Sequence, residues 1–116
     1  MNTDQREPQV DFAHFAALEL RVATVIAVEA FPEARKPAWK LTLDLGEFGV
    51  LRSSAQITHY SADELVGRQV VVVANFPPRQ IANFMSECLV LGALDEEKGV
   101  VLLSPDVVVA NGSRIG

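Results

Sequence analysis

Residues 75–91, NFPPRQIANFMSECLVL, hold the side chains best suited to bind a ligand. Two adjacent prolines, Pro77 and Pro78, interrupt strand-like sequence, and because proline has no N–H to donate, the chain must leave a sheet there. We expect it to leave at Phe76 and rejoin near Ser86, exposing a cation and two phenylalanines on a rigid support. Such a loop could stack an unpaired base, hold an apolar peptide side chain or pack in a dimer interface. The candidate residues here are Asn75, Phe76, Pro78, Arg79, Phe84 and Ser86.

A second cationic segment, FPEARKPAWK at residues 31–40, is bracketed by Pro32 and Pro37 and therefore predicts an exposed loop. Its cations could hold phosphates, or they could be ordinary solvated charges paired with neighbouring glutamates. We expect all of them to lie in solvent at the end of the first strand. They are Arg35, Lys36 and Lys40.

The end of the predicted third strand carries hydrogen-bonding side chains. Ser53, Ser54 and Gln56 could bond a ribose, a base edge or a peptide backbone, or they could cap the turn that follows. Arg52 shares one side of this strand with Ser54 and is a further candidate. Arg21, in the first strand, is another.

The net charge of −5 argues against a polyanionic ligand, but the charge is unevenly distributed. Residues 1–20 carry one cation against four acids, and residues 80–116 carry two against five, so each end contributes −3. Residues 21–79 carry seven cations against six acids, a net of +1. A folded sheet could gather these seven on one face. They are Arg21, Arg35, Lys36, Lys40, Arg52, Arg68 and Arg79.

No residue pattern indicates catalysis, a metal site or a cofactor. His14, His59 and Cys88 are separated in the sequence and lack the paired spacing of zinc ligands. The serines have no nucleophile motif around them, and there is no glycine-rich phosphate loop. We therefore predict a binding protein rather than an enzyme. Cys88, with apolar neighbours, is expected to be a buried structural thiol.

Apolar runs with alternation or β-branched residues predict five strands that could position these side chains. A capping box of Ser61 and Glu64 predicts one short helix between the third and fourth strands, and Asp11 could cap a helical turn before the first. This order is typical of an all-β OB-fold, a five-stranded Greek-key barrel, here with terminal extensions. A small SH3-like barrel is the alternative, but the helix favours the OB-fold. The strands are predicted at residues 19–30, 39–46, 48–55, 68–75 and 87–94.

Length and composition indicate one soluble globular domain. A chain of 116 residues has room for a single core, and 49% hydrophobic with 22% charged residues is ordinary for a globular protein. Residues 1–10 are polar and predict a flexible N-terminal arm, so that the OB-fold domain comprises residues 11–116. No apolar run approaches the roughly 20 residues of a membrane span, and the N terminus is no secretory signal. We expect a cytoplasmic protein without membrane insertion.

Long segments of the sequence resemble one known family. The phrases LELRVATV, FPEARKPAWKL, SSAQIT, GRQVVVVANFPPRQIANFMSE and VLLSPD, the last followed by NGSRIG, are similar to the CsaA family. Its members are small OB-fold proteins described as tRNA-binding domains and export-related chaperones, and the similarity covers residues 12–116. The resemblance implies an OB-fold homodimer without catalysis, related to the tRNA-binding modules of some aminoacyl-tRNA synthetases.

One short motif connects the chain to the wider tRNA-binding family. That family has an Asn, a Pro three residues later and a Ser eleven residues after the Asn, and Asn75, Pro78 and Ser86 resemble this pattern. RNA-binding relatives usually carry cationic residues and a Gly in the loop between, whereas this loop keeps only Arg79. Asn83 stands where the Gly is usual and should preserve the turn, because Asn tolerates left-handed backbone angles.

The sequence leaves two functions open. The leading hypothesis is an export-related chaperone that binds unfolded or precursor polypeptides near a dimer interface, because the loop after Asn75 retains a single cation. The alternative is a tRNA-binding module that uses the basic face of the barrel. An enzyme is a distant third reading, since no catalytic constellation is recognisable.

Overall fold

The computed structural model describes residues 6–116, which form an antiparallel barrel and two small hairpins. Five strands make the main sheet in the order β3-β2-β1-β4-β7, while β5 pairs with β6 and β8 with β9. The two helices are short. The elements are α1 (Phe12–Ala17), β1 (Leu20–Ala30), β2 (Trp39–Asp44), β3 (Val50–Ala55), α2 (Ala62–Leu65), β4 (Gln69–Val73), β5 (Arg79–Ile81), β6 (Phe84–Ser86), β7 (Leu89–Val90), β8 (Gly92–Asp95) and β9 (Gly99–Leu102).

The hydrophobic patterns of the strands explain where the core lies. Strand β2 alternates, so that Leu41 and Leu43 are fully buried while Lys40 and Thr42 point the other way. Strand β4 is buried along residues 70–73, as expected for a continuous apolar run in a central strand. These side chains meet those of β1 in one apolar core, so the leucine face of β2 points into the barrel.

Strand β1 is long enough to serve both halves of the barrel. Its first half pairs with β4 from Leu20 to Thr24, and its second half pairs with β2 as far as Ala30. A register shift between Val25 and Ala27 marks a bulge at the change of partner. Bulges bend and twist a strand, and this one lets a single strand turn the corner of the barrel.

The barrel closes between β3 and the segment that leads into β7. The backbone N–H of Glu87 donates to the Arg52 carbonyl at 2.7 Å, and the Ser53 hydroxyl donates to the Cys88 carbonyl at 2.8 Å. The Ser54 N–H donates to the Ser86 hydroxyl at 3.1 Å. Side chains therefore replace part of a backbone ladder at this seam. The result is the predicted OB-like five-stranded antiparallel barrel, with the short helix α2 between β3 and β4.

The capping box predicted before α2 is confirmed. The Ser61 hydroxyl accepts from the Glu64 N–H, and the Glu64 carboxylate accepts from the Ser61 N–H at 2.8 Å. These bonds also hold the pKa of Glu64 below its usual value. Helix α1 differs from expectation in its cap, because Asp11 occupies the N-cap position but its side chain makes no capping hydrogen bond.

The segments around the predicted fifth strand differ most from the sequence-based assignment. Residues 87–94 form two short strands, β7 and β8, in different sheets, and the expected loop after Asn75 contains the β5–β6 hairpin. Of the predicted arm, residues 1–5 lie outside the described residues, while residues 6–10 contain no helix or strand. None of the helices within residues 6–116 is long and apolar enough to span a membrane.

Replacing Ser53 by Ala should lower the free energy of unfolding by about 1 to 3 kcal/mol, because the Cys88 carbonyl then loses its donor at 2.8 Å and keeps only the Ser86 hydroxyl at 3.5 Å. Ser54→Ala is the matched control, since that hydroxyl makes no hydrogen bond within residues 6–116 and its loss should cost under about 0.5 kcal/mol. Urea denaturation followed by Trp39 fluorescence measures both. Equal stability of the two variants would show that the seam does not depend on this bond.

Candidate functional site

The β5–β6 hairpin is held against the loop between β1 and β2 by a small apolar cluster. Phe84 packs edge-on against Phe31 with ring centroids 5.5 Å apart, and Ala38 completes the buried part. Ile81 and Ala34 pack on its margin. The sequence places these residues on two segments that are far apart along the chain, and their burial fixes the distance between the hairpin and the loop.

Phe84 is therefore not the exposed aromatic that the sequence suggested. It is 5% exposed, because hairpin alternation turns it inward toward Phe31. Two predicted binding cations lie over it: the Arg52 guanidinium carbon is 4.7 Å, and Lys40 Nζ 5.9 Å, from the ring centroid. Lys40 Nζ is also 5.4 Å from the Phe31 centroid. The expectation that Lys40 lies free in solvent was therefore wrong. These contacts cover the cluster.

The hairpin turn also differs from expectation. Ala82 has a φ of 52°, and it is the one non-glycine residue with a positive φ among residues 6–116. The prediction that Asn83 takes the left-handed position was wrong by one residue. An alanine in this region is strained, because its Cβ crowds the backbone. The Gln80 amide donates to the Ala82 carbonyl at 3.1 Å and supports the turn.

An open groove of about 970 Å³ runs between the β1–β2 loop, the end of β3 and the β5–β6 hairpin. We call it the groove. Of the residues that the structure describes, no Asp or Glu lines it, although the chain carries an excess of acids. Aliphatic side chains such as Ile57 and Val100 form part of its wall. Its polar lining is Arg35, Lys36, Ser54, Gln56, Arg79 and Gln80.

A smaller cavity of about 320 Å³ adjoins the groove, and we call it the side cleft. No acidic side chain from residues 6–116 lines it either. Four residues line both cavities, so the two are continuous: Ser54, Arg79, Ile81 and Leu89. The side cleft adds Phe76, Pro77, Ser86 and Cys88.

Ion pairs divide the candidate cations into two classes. Arg21 binds Glu19 at 2.7 Å, and its guanidinium carbon lies 3.7 Å from the Phe48 ring centroid, outside both cavities. Arg52 binds Glu29 at 2.9 Å. Within residues 6–116, no acid lies within ion-pairing distance of the three cations that line the groove, Arg35, Lys36 and Arg79. Those three are available for an anionic ligand.

The motif residues Asn75 and Ser86 hold the hairpin in place from its two ends. The Asn75 side chain accepts from the Glu19 N–H at 2.8 Å and donates to the Ala17 carbonyl at 2.9 Å. Ser86 binds β3 through the Ser54 N–H. Pro78 is exposed at the start of the hairpin. The eleven-residue spacing of the motif therefore matches a hairpin fixed at Asn75 to the segment before β1 and at Ser86 to β3.

The predicted ligand Ser53 and the nearby Trp39 have structural roles. Ser53 is 1% exposed, so its hydroxyl, bonded to the Cys88 carbonyl, cannot reach a ligand. Trp39 packs on the main core and donates its indole N–H to the Tyr60 carbonyl at 3.0 Å. Cys88 is the predicted buried thiol, and burial raises its pKa to about 12. Among residues 6–116, no three His, Cys, Asp or Glu side chains come together in a way that could hold a metal ion.

Sequence reasoning missed the aliphatic wall of the groove. Ile57, Leu89 and Val100 come from three separate segments, and each reads in the sequence as an ordinary core residue. No local sequence signal indicates them, because only the folded chain brings Leu89 to the same cavity as Arg79 and Ile81 of the hairpin.

Comparison with known proteins places this geometry in a family. Residues 20–114 match the family model described as "Putative tRNA binding domain". A solved structure of the chaperone CsaA from Bacillus anthracis strain Ames has 47% sequence identity and a TM-score of 0.89, and the match covers 94% of this chain and 100% of that one. CsaA chaperone protein from Picrophilus torridus has 45% identity and a TM-score of 0.89 over 93% of this chain and 100% of that one. The resemblance seen in the sequence is confirmed.

A longer relative is an enzyme. The methionine-tRNA ligase of Porphyromonas gingivalis strain W83 is 36% identical over 106 residues, which are 91% of this chain and 15% of the ligase. The chain therefore spans about 15% of the length of the ligase that it matches.

Replacing Ala82 by Gly should raise the free energy of unfolding by about 0.5 to 1 kcal/mol, because glycine adopts a positive φ without steric cost. Asn83→Gly is the control, since Asn83 has no positive φ and gains nothing from the change. Chemical denaturation compares the two. If Asn83→Gly is the more stable of the two variants, the residue with the strained positive φ is Asn83, as the sequence suggested, and not Ala82.

Reversing Arg35 and Lys36 together to Glu should change the stability by less than about 0.5 kcal/mol, because both are exposed. Adding Lys40→Glu should lower the free energy of unfolding by about a further 1 to 2 kcal/mol. The change removes the cation over two rings and places a second carboxylate opposite Glu29 in the sheet register. Thermal and urea unfolding of the double and triple variants test this difference. An unstable double variant would mean that the β1–β2 loop is structural.

Proposed function

Since the chain belongs to the tRNA-binding domain family and has the CsaA-like form of its fold, we propose that it is a non-catalytic module that binds tRNA in the groove. The observation that carries the proposal is the set of three cations, Arg35, Lys36 and Arg79, without an acidic neighbour in the groove lining. Phosphate contacts of this kind supply most of the affinity of nucleic-acid binding and set the orientation of the strand.

The polar side chains between the cations suit the rest of a nucleotide. Ser54 and Gln56 lie at the end of β3, opposite Arg79 and Gln80 of the hairpin. Hydroxyl and amide groups can bind a 2′-hydroxyl or a base edge. Cations that bind phosphates do not distinguish one sugar or base from another. In this proposal Arg35, Lys36 and Arg79 bind phosphates, while Ser54, Gln56 and Gln80 read the sugar and base.

The structure of the groove changes the balance between the two functions left open by the sequence. The sequence favours peptide binding because the loop after Asn75 keeps only Arg79, and it predicts that Phe84 is exposed in that loop. Phe84 is buried, and the β1–β2 loop contributes Arg35 and Lys36 across the groove. Cations absent from one wall are therefore supplied by the other, which favours an anionic ligand.

The acidic total does not prevent this binding, but it limits its strength. Charges further apart than about 8 Å are largely screened at physiological ionic strength, so the local cations outweigh the distant acids. The acidic side chains of residues 95–97 lie in the β8–β9 turn, outside the groove lining. We expect a modest affinity that falls steeply with salt.

A second candidate function is binding of unfolded or precursor polypeptides, as a chaperone related to protein export. The 47% identity to a chaperone CsaA over nearly the whole chain favours it, and so does the aliphatic part of the groove wall. An acidic and apolar polypeptide would suit the same lining. In this case binding would depend on apolar burial, which salt scarcely weakens.

We also propose that the working form is a cytoplasmic homodimer. Apolar side chains are exposed on the β8–β9 hairpin and the C-terminal segment, including Leu94 and Val108, both 86% exposed. Exposed apolar surfaces of this kind are characteristic of subunit contacts. The interface is proposed to involve the C-terminal segment, which lines neither cavity and leaves the loop after Asn75 accessible to the ligand.

Binding of tRNA should weaken with rising salt, with a log-log slope of roughly −2 to −3, because three phosphate contacts release their counterions. The double variant Arg35→Ala/Lys36→Ala should reduce the slope to about −1. Fluorescence anisotropy with labelled tRNA, at about 50 to 300 mM KCl, measures the slope for the wild-type chain and for the double variant. Arg21→Ala is the matched control, since Arg21 is ion-paired outside the groove.

The opposite pattern would contradict the proposal. If tRNA does not bind, or if Arg21→Ala changes the slope as much as the double variant does, the groove is not the site. Salt-independent binding of a denatured client, with no affinity for tRNA, would favour the chaperone function instead.

A further inference from the structure

We propose that the side cleft is a pocket for one unpaired nucleobase, and that the chain therefore recognises a single-stranded part of its RNA rather than a duplex arm. The inference rests on the proposed function, because it takes the strand in the groove as given. It gives Phe76 and its neighbours the role of binding a base, whereas the phosphate contacts involve only the cations of the groove.

The size and position of the side cleft fit one base. Its volume of about 320 Å³ is at the lower end of the range for ligand pockets, whereas the groove is three times larger. Arg79 and Ser54 line both cavities, so a strand whose phosphate is bound by Arg79 has the side cleft directly beside it. A nucleotide can then place its phosphate in one cavity and its base in the other.

The chemistry of the lining also matches a base, which has two apolar faces and a polar edge. Phe76 is 43% exposed and is the one aromatic side chain lining either cavity within residues 6–116. Pro77 and Leu89 add apolar walls, while Ser54 and Arg79 supply polar groups at the boundary with the groove. Aromatic stacking beside a positively charged groove is the usual way in which proteins hold single-stranded nucleic acid.

The backbone that carries Phe76 is held in place before a ligand binds. Asn75, just before it, is fixed by hydrogen bonds to the Glu19 N–H and the Ala17 carbonyl. Pro77, just after it, restricts the backbone of Phe76 to extended conformations. Little backbone entropy of this segment remains to be lost when a base stacks on the ring, which favours binding.

A base in a duplex could not enter the side cleft without leaving its stack and its partner. That step is costly in a duplex and least costly in a single strand, so the cleft selects unpaired nucleotides. An aliphatic side chain of a polypeptide could also fill an apolar cavity. It would make no use of the unpaired Arg79 at the boundary, and the charge of the lining therefore favours a nucleotide.

The test compares a labelled 12-nucleotide RNA strand with the same strand annealed to its complement, by fluorescence anisotropy at constant salt. The wild-type chain should bind the single strand more tightly. Phe76→Ala and Phe76→Leu should both lose about 5- to 150-fold in affinity for it, because neither side chain has an aromatic face. Phe76→Trp should retain the affinity. Phe12→Ala is the control, since Phe12 is 77% exposed but lines neither cavity.

Several results would overturn the inference, and they separate it from the proposed function. If Phe76→Ala binds the single strand as tightly as the wild-type chain, and tRNA binding still weakens steeply with salt, the base pocket is wrong and tRNA binding in the groove stands. Full affinity in Phe76→Leu, or equal affinity for duplex and single strand, would likewise remove it. A loss confined to binding of a denatured polypeptide would assign the cleft to a peptide side chain. Absence of all RNA binding would remove both proposals.

Discussion

The hydrogen bond from the Ser53 hydroxyl to the Cys88 carbonyl is the contact on which the rest of the structure depends. It joins β3 to the segment that follows the β5–β6 hairpin, at a seam where the barrel lacks a continuous backbone ladder. The neighbouring residues on both sides, Ser54 and Ser86, line the side cleft. Closure of the barrel therefore sets the width of the cavity beside it. A structural bond and a binding surface are formed by adjacent residues of the same strand.

The electrostatic design of the chain follows from how its cations are used. Arg21 and Arg52 are bound to glutamates, and Lys40 lies over the rings that join the hairpin to the β1–β2 loop. These cations stabilise the scaffold. Arg35, Lys36 and Arg79 are left for the ligand, and all three line the groove. A chain with a net charge of −5 can thus carry a cationic surface, because the sum over the chain does not describe any one face.

Much of the fold could be predicted from the sequence because local patterns determine it. The alternation of Leu41 and Leu43 defines the inner face of β2, and the capping box at Ser61 defines α2. The site was predicted less well, because it depends on contacts between distant segments. The burial of Phe84 requires Phe31, which lies 53 residues earlier in the chain, and no local pattern indicates this pairing. The positive φ of Ala82 was missed for a related reason, since tertiary packing of the hairpin overrides local propensity there.

The most direct test of the account is to map the tRNA contact surface by the amide NMR spectrum of the labelled chain during a titration. If tRNA binds in the groove, the largest shifts come from Arg35 and Lys36, from Ser54 to Gln56 and from the β5–β6 hairpin, while the β8–β9 turn and α2 stay unchanged. Because these groups lie on three separate segments, shifts in all of them would indicate binding in the groove. Shifts concentrated around Arg21 and Phe48, or in the acidic β8–β9 turn, would contradict the account.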